Sequence, residues 1–170
     1  MIEFSIKKIQ RTTAKYLGRV SPLPNSVRLS LLRAAGASIG NDVHISGNVH
    51  IENPHLLTIG HRTYIVAGCI LDGKATITIG DDCGIAAGTI IVSTTHQIGT
   101  GDSRVGPGLD LAVSIGSGSW LGANVTVAAG VSIGKRCVVG AGSVVLQNCD
   151  DDGMYVGAPA RRVRSLSDQD

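Results

Sequence analysis

A parallel β-helix is the fold class that this sequence predicts, and three observations carry the expectation. An aliphatic residue returns every six positions, from Ile39 through Ile45 and Ile51 to Ile133, Val139 and Val145. The residue two before each of these positions is usually small or β-branched, as at Thr63, Cys69, Cys83, Thr89 and Ser119. Aromatics make up only 3 % of the 170 residues while glycine reaches 23, which describes a thin aliphatic core without large rings.

Six is not a helical period, since six residues at 3.6 per turn point away from the starting face. It fits a short strand followed by a corner. Three such units close one triangular coil, and coils stack so that each strand pairs with its equivalents above and below. Alternation along a strand puts the small residue on the same inward side as the aliphatic one. The frame runs through Ile59, Ile65 and Leu71, then Ile79, Ile85 and Ile91, and resumes at Ile115, Leu121 and Val127. Two steps are eight residues long, from Ile51 to Ile59 and from Leu71 to Ile79, as one small bulge per turn would produce. Cys69, Cys83, Cys137 and Cys149 all fall in the small inward slot and none has a CxxC partner. They read as buried structural thiols in a reducing compartment.

The ends differ from the middle. Residues 1–36 form an N-terminal segment and cap: residues 2–18 read as a weakly amphipathic helix, broken by Pro22 and Pro24. A second helix is expected from Val27 to Ala35, capped by Asn25 or Ser26 and ending at Gly36. Such a cap suits a solenoid, whose terminal strands expose unpaired edges. The β-helix then spans 37–149. In 150–170 a turn at Asp150–Gly153 leads to a short strand through Tyr155 and Val156, then Gly157-Ala158-Pro159-Ala160 and a disordered tail.

Net charge is only +2, but basic residues gather at both ends, from Lys7 to Arg33 and again at Lys135, Arg136, Arg161, Arg162 and Arg164. The N-terminal set reads as a solvated helix face, with contact to an anionic membrane as the alternative. No aromatics interleave with these charges, so nucleic-acid stacking has no support. No apolar run reaches the length of a membrane span and no signal core is present, so a cytoplasmic protein is expected.

Between Ile91 and Ile115 the hexads fail. Residues 97–112 read as a loop extruded from one corner, and long loops on rigid scaffolds usually carry function. His96 stands at its base, after Ser93, Thr94 and Thr95. His44 and His50 occupy outward strand positions, and His55 and His61 lie near the eight-residue step. His96 is therefore the histidine to which chemistry is assigned. A metal site needs several histidines converging on one point, and none is expected here. Trp120, the single tryptophan, points outward by strand alternation and is placed for a ligand or intersubunit contact.

From about Ile39 to Arg164 the chain resembles the hexapeptide-repeat acyltransferases, and within them the sugar O-acetyltransferases of the galactoside, maltose and exopolysaccharide type. Thr94-Thr95-His96, Trp120-Leu121-Gly122-Ala123-Asn124-Val125, Val139 to Val145 and Gly157-Ala158-Pro159-Ala160-Arg161 carry the likeness. The resemblance implies a left-handed helix, an exception to the usual crossover hand. It also implies a homotrimer with active sites between subunits and acetyl-CoA as acyl donor, lying along the C-terminal coils. By position, His96 matches the general base, Trp120 and Ala123 the channel for the acyl arm, and Ala141 a backbone contact to the pantetheine. Arg161 and Arg164 match basic residues near the cofactor phosphates.

Histidine suits the chemistry, because a hydroxyl attacks only as a base of near-neutral pKa removes its proton. The oxyanion formed at the thioester needs N–H donors, which the resemblance puts at or near Ala123. Asp72, Asp81 or a backbone carbonyl is expected to orient the imidazole. Leu146-Gln147 replaces a basic cofactor contact of the family, and Val66 or its neighbours stand where the galactoside enzymes carry an acceptor-binding asparagine. Those departures point to glycans of the cell surface rather than free galactosides. An N-acyltransferase on an amino sugar, a serine acetyltransferase relative, and a β-helix that binds without catalysis or holds a metal are the alternatives.

Overall fold

The computed structural model describes residues 23–167, and there the repeat closes into a three-sided solenoid. The expected helix at 2–18 and the basic cluster around it lie outside the described residues. The first sheet stacks Ser38–Ile39, Leu57–Ile59, Ile77–Ile79, Val113–Ile115 and Ser132–Ile133. The second runs from His44–Ile45 through Tyr64–Ile65, Gly84–Ile85, Trp120–Leu121 and Val138–Val139 to Gly153–Val156. The third stacks His50–Ile51, Ile70–Asp72, Ile90–Val92, Thr126–Val127 and Val144–Val145. Pairing between coils is parallel and in register, Ile45 beside Ile65, Ile65 beside Ile85, and Leu121 beside Val139. This is the left-handed β-helix architecture.

Registry explains the hexads. Of the fifteen repeat positions, all are buried except Ile39, which lies in the first coil and is partly exposed. The small inward slot does more than fill space. Thr63 Oγ1 donates to Gly80 O at 2.8 Å, Cys83 Sγ to Gly116 O at 3.3 Å and Ser119 Oγ to Gly134 O at 2.8 Å. A small polar side chain in this column thus bonds a backbone carbonyl of the neighbouring coil, which keeps buried polar groups paired.

Each six-residue side ends in a residue with left-handed backbone, three positions before the next aliphatic. Asp42, Asn48, Arg62, Asp82, Asn124, Arg136 and Asp152 have φ of 52–59°, and Gly68, Gly88, Gly118, Gly130 and Gly142 share the slot. Asn, Asp and Gly are the residues that tolerate this region best. The two arginines are each paired with the aspartate at the same corner one coil on. Arg62 bonds Asp82 at 2.6 and 2.7 Å, and Arg136 bonds Asp152 through two nitrogens. Hydrogen bonding from Arg62 holds the Asp82 carboxyl below the usual carboxylate range, and Arg136 does the same for Asp152. Both pairs are exposed, so their role is to align corners rather than to add much stability.

The N-terminal cap is a helix, Asn25–Ala34, with Pro24 at its N-cap position and no side-chain cap bond. Asn25 and Ser26 therefore do not cap it as expected. Asn25 instead reaches the open end of the solenoid, where its amide donates to Val43 O at 2.9 Å and accepts from Ile45 N at 3.0 Å. Arg28, only 3 % exposed, donates to Ile45 O, and Arg33 donates to Ile39 O and Gly40 O. These side chains take the place of the strand that the first coil lacks.

Two further expectations change. The loop at 97–112 is a two-stranded antiparallel ribbon, Thr94–Ile98 with Val105–Asp110, so it starts at Thr94 and includes His96. The tail expected to be disordered forms a strand, Arg161–Ser165, which folds back antiparallel on Gly153–Val156 and covers the last edge of the second sheet. No helix among the described residues is long and apolar enough to cross a membrane.

All four cysteines are free and buried, at 0 % exposure for Cys69, Cys83 and Cys137 and 5 % for Cys149. Burial raises every one of these thiols, that of Cys149 to about 12. Since the thiolate is the reactive form, a thiol reagent at pH 8 should label the native protein slowly and the unfolded chain fully. Rapid labelling of any native cysteine would show that the inward slot is open at that coil.

Candidate active site

The ribbon leaves the solenoid at the corner between the third and first sheets, and its root is fixed on both sides. Ser93 Oγ donates to Ala75 O at 2.8 Å and accepts from Ala75 N at 3.2 Å. Thr94 Oγ1 accepts the Lys74 N–H at 3.0 Å and donates to Asp110 Oδ1 at 2.9 Å. Gly73 belongs to this joint: a Cβ there would overlap Ser93 Oγ, and its φ is 150°. His96 follows two residues later, exposed and opposite Gly108.

Trp120 points outward from the second sheet with 52 % exposure, as expected. Tyr64, which the sequence reading passed over, occupies the equivalent position two coils earlier and is 47 % exposed. The strand between them carries Gly84, whose Cβ would lie 2.5 Å from the Tyr64 hydroxyl. The phenol ring therefore lies over Gly84 and extends toward Trp120. The signal was available, since Tyr64 precedes Ile65 as Trp120 precedes Leu121.

Ala123 and Ala141 sit at one corner on successive coils, between the second and third sheets, where Gly142 N donates to Ala123 O at 2.8 Å. Gly122 lets the coils approach, because a Cβ there would be 2.6 Å from Ala141 N. Arg164 continues the outward column of Trp120, which passes through Val138 and Met154. Arg161 opens the same exposed C-terminal strand. The structure thus gathers Trp120, Ala123, Ala141, Arg161 and Arg164 on the second sheet and its adjoining corner. It does not bring His96 to them within one chain, since the ribbon springs from the opposite corner of the triangle.

The two carboxylates expected as candidates for orienting His96 stand beside other residues. Asp81 Oδ1 accepts the His61 N–H at 2.6 Å on the corner between the first and second sheets. Asp72 stands in the third sheet beside Glu52 and His50, and these three offer ligand atoms within 4.8 Å of one another. That cluster could hold a cation, and spacing along the chain gives little sign of it because Asp72 joins His50 and Glu52 from the next coil.

Comparison with known proteins finds the same repeat and the same fold. Residues 112–147 match the family profile described as bacterial transferase hexapeptide (six repeats), and residues 57–93 match that of the hexapeptide repeat of succinyl-transferase. A putative acetyltransferase of Saccharomyces cerevisiae, YJL218W, is 32 % identical over 165 residues, covering 97 % of this chain and 84 % of its own. The galactoside O-acetyltransferase of Escherichia coli K12 is 27 % identical over 165 residues, or 96 % of this chain and 81 % of that one. The hexapeptide-repeat-containing acetyltransferase of Vibrio cholerae complexed with acetyl coenzyme A superposes with a TM-score of 0.80 at 29 % identity, over 98 % of this chain and 90 % of that one.

Proposed function

The chain belongs to the hexapeptide-repeat acetyltransferases, and we propose that it transfers the acetyl group of acetyl-CoA to a hydroxyl of a sugar or glycan with His96 as general base. The observation that carries the assignment is the place of His96: it stands on the only ribbon that leaves the described solenoid, two residues beyond a root bonded on both sides. In the reaction the imidazole takes the acceptor's hydroxyl proton as the oxygen attacks the thioester carbonyl. The oxyanion is held by backbone N–H at or near Ala123. Its collapse breaks the C–S bond, and the departing thiolate recovers the proton from the imidazolium. Trp120 lines the path of the acyl arm, Ala141 meets the pantetheine, and Arg161 and Arg164 attract the phosphates.

A homotrimer completes the site in this reading. His96 and the Trp120 face lie on opposite sides of one triangular prism, so an interface between flat faces is what would bring a ribbon from one copy to the second sheet of another. The buried free thiols fit a cytoplasmic, reducing setting.

His96→Ala should lower kcat by roughly a hundred- to ten-thousandfold while acetyl-CoA affinity hardly changes. The wild-type rate should fall on the acid side as the imidazole is protonated, and the variant should lose that limb. A folded His96→Ala protein with near-normal transfer sinks the base assignment.

Replacing Arg161 and Arg164 together with Ala should raise the KM for acetyl-CoA and flatten its dependence on salt. Unchanged kinetics would leave those arginines as surface charge.

Light scattering at micromolar concentration should return three times the chain mass. A monomer would remove the basis for a shared site.

A further inference from the structure

We propose that Asp110 is the positioning carboxylate of His96, an inference that rests on the reading of His96 as base. The ribbon's register pairs Thr94 with Asp110 and His96 with Gly108. Side chains two apart on a strand share a face, so Thr94, His96 and Asp110 all stand on one side of the ribbon. His96 and Asp110 are diagonal neighbours, about 7 Å apart at their Cβ atoms, a gap that an imidazole and a carboxylate together span. The position directly opposite His96 carries no side chain to intervene. A Cβ on Gly108 would meet only Thr95 O, at 4.0 Å. The ring can therefore swing over Gly108 toward the carboxylate.

Asp110 is itself held in place. Thr94 Oγ1 donates to its Oδ1 at 2.9 Å, and the same hydroxyl accepts the Lys74 N–H from the preceding coil. One oxygen of the carboxylate is thus tied to the ribbon's root, which leaves Oδ2 to accept a second bond on the face that Asp110 shares with His96. An imidazole N–H donated to Oδ2 selects the tautomer whose other nitrogen carries the free lone pair, which a general base requires. Apo enzymes often hold such bonds open until substrate arrives. The other charged groups on the ribbon are Asp102 and Arg104, toward its far end, where Arg104 reaches Gly99 O at 3.4 Å. On the connection packed against its root the charged groups are Lys74 and Asp72.

Asp110→Asn, Asp110→Glu, Thr94→Val and Thr94→Ser are compared with His96→Ala for kcat, KM for acetyl-CoA, the pH–rate profile and thermal stability. Asp110→Asn should lower kcat roughly ten- to a hundredfold, less than His96→Ala does, with KM for acetyl-CoA within about twofold. Loss of the carboxylate removes support for the imidazolium, so the acid limb should move to lower pH. Asp110→Glu should restore the limb. Thr94→Val should lower kcat a few-fold, and Thr94→Ser should recover it. An Asp110→Asn enzyme with unchanged kcat and limb, beside an inactive His96→Ala, overturns the proposal and leaves the base intact. A fall in stability or kcat without movement of the limb makes Asp110 scaffold only, and also overturns it. If Asp110→Asn does not fold, Thr94→Val decides, and wild-type kcat and an unmoved limb in that variant count against the proposal. Near-normal activity of His96→Ala instead refutes the base reading.

Discussion

Each coil must turn three times within about twenty residues and arrive back in hydrogen-bonding register with the coil before it. The rest of the structure depends on how that turn is made. At most corners a single residue enters the left-handed region, and the slot is filled by glycine, asparagine or aspartate except at Arg62 and Arg136. Once the corners are set, backbone bonds such as His44 N to Thr63 O and Tyr64 N to Cys83 O repeat from coil to coil. The aliphatic stack then fills a narrow core, with the ring of Tyr155 in its last coil, and polar groups in the small slot find carbonyls at a fixed height. A prism assembled this way has flat outer faces, which is why exposed Trp120 and Tyr64 lie on a surface rather than in a cleft.

The same periodicity creates an end problem, and the two ends solve it differently. At the N-terminal end the donors and acceptors are side chains of a helix, with Asn25 matching both polar groups offered by Val43 and Ile45. At the C-terminal end the backbone itself folds over, with Arg161–Ser165 pairing on the second sheet and Ala160 N bonding Val144 O on the third. The C-terminal arginines are thereby placed on a rigid strand.

Much of this was legible in the residues. The hexads located nearly every strand and inward slot, and the break in them pointed to His96. What was not legible followed from the limits of a one-dimensional period. Asn25 looks like a helix cap because it precedes an amphipathic run, yet an unpaired coil edge some twenty residues on competes for its amide and wins. Residues 97–112 are polar and glycine-rich, which reads as a loop, but cross-strand pairs such as Thr94 with Asp110 are non-local and leave no periodic trace. Arg161–Ser165 has no alternation because it lies on the edge with every residue exposed. Asp72 joins His50 and Glu52 only through the stacking of one coil on the next.

The spacing of the corners is uneven in an orderly way. From the first sheet to the second, and from the second to the third, each step between aliphatic positions is six residues throughout the solenoid, as from Ile59 to Ile65 to Leu71. Only the return from third sheet to first varies: it takes eight residues after Ile51 and Leu71, carries the whole ribbon after Ile91, and shrinks to six after Val127. Two edges of the prism are thus inextensible and the third is an expansion joint. Chain added along that edge leaves the stacking of every coil untouched, so new recognition elements can be acquired, lengthened or lost there without the scaffold having to be reinvented.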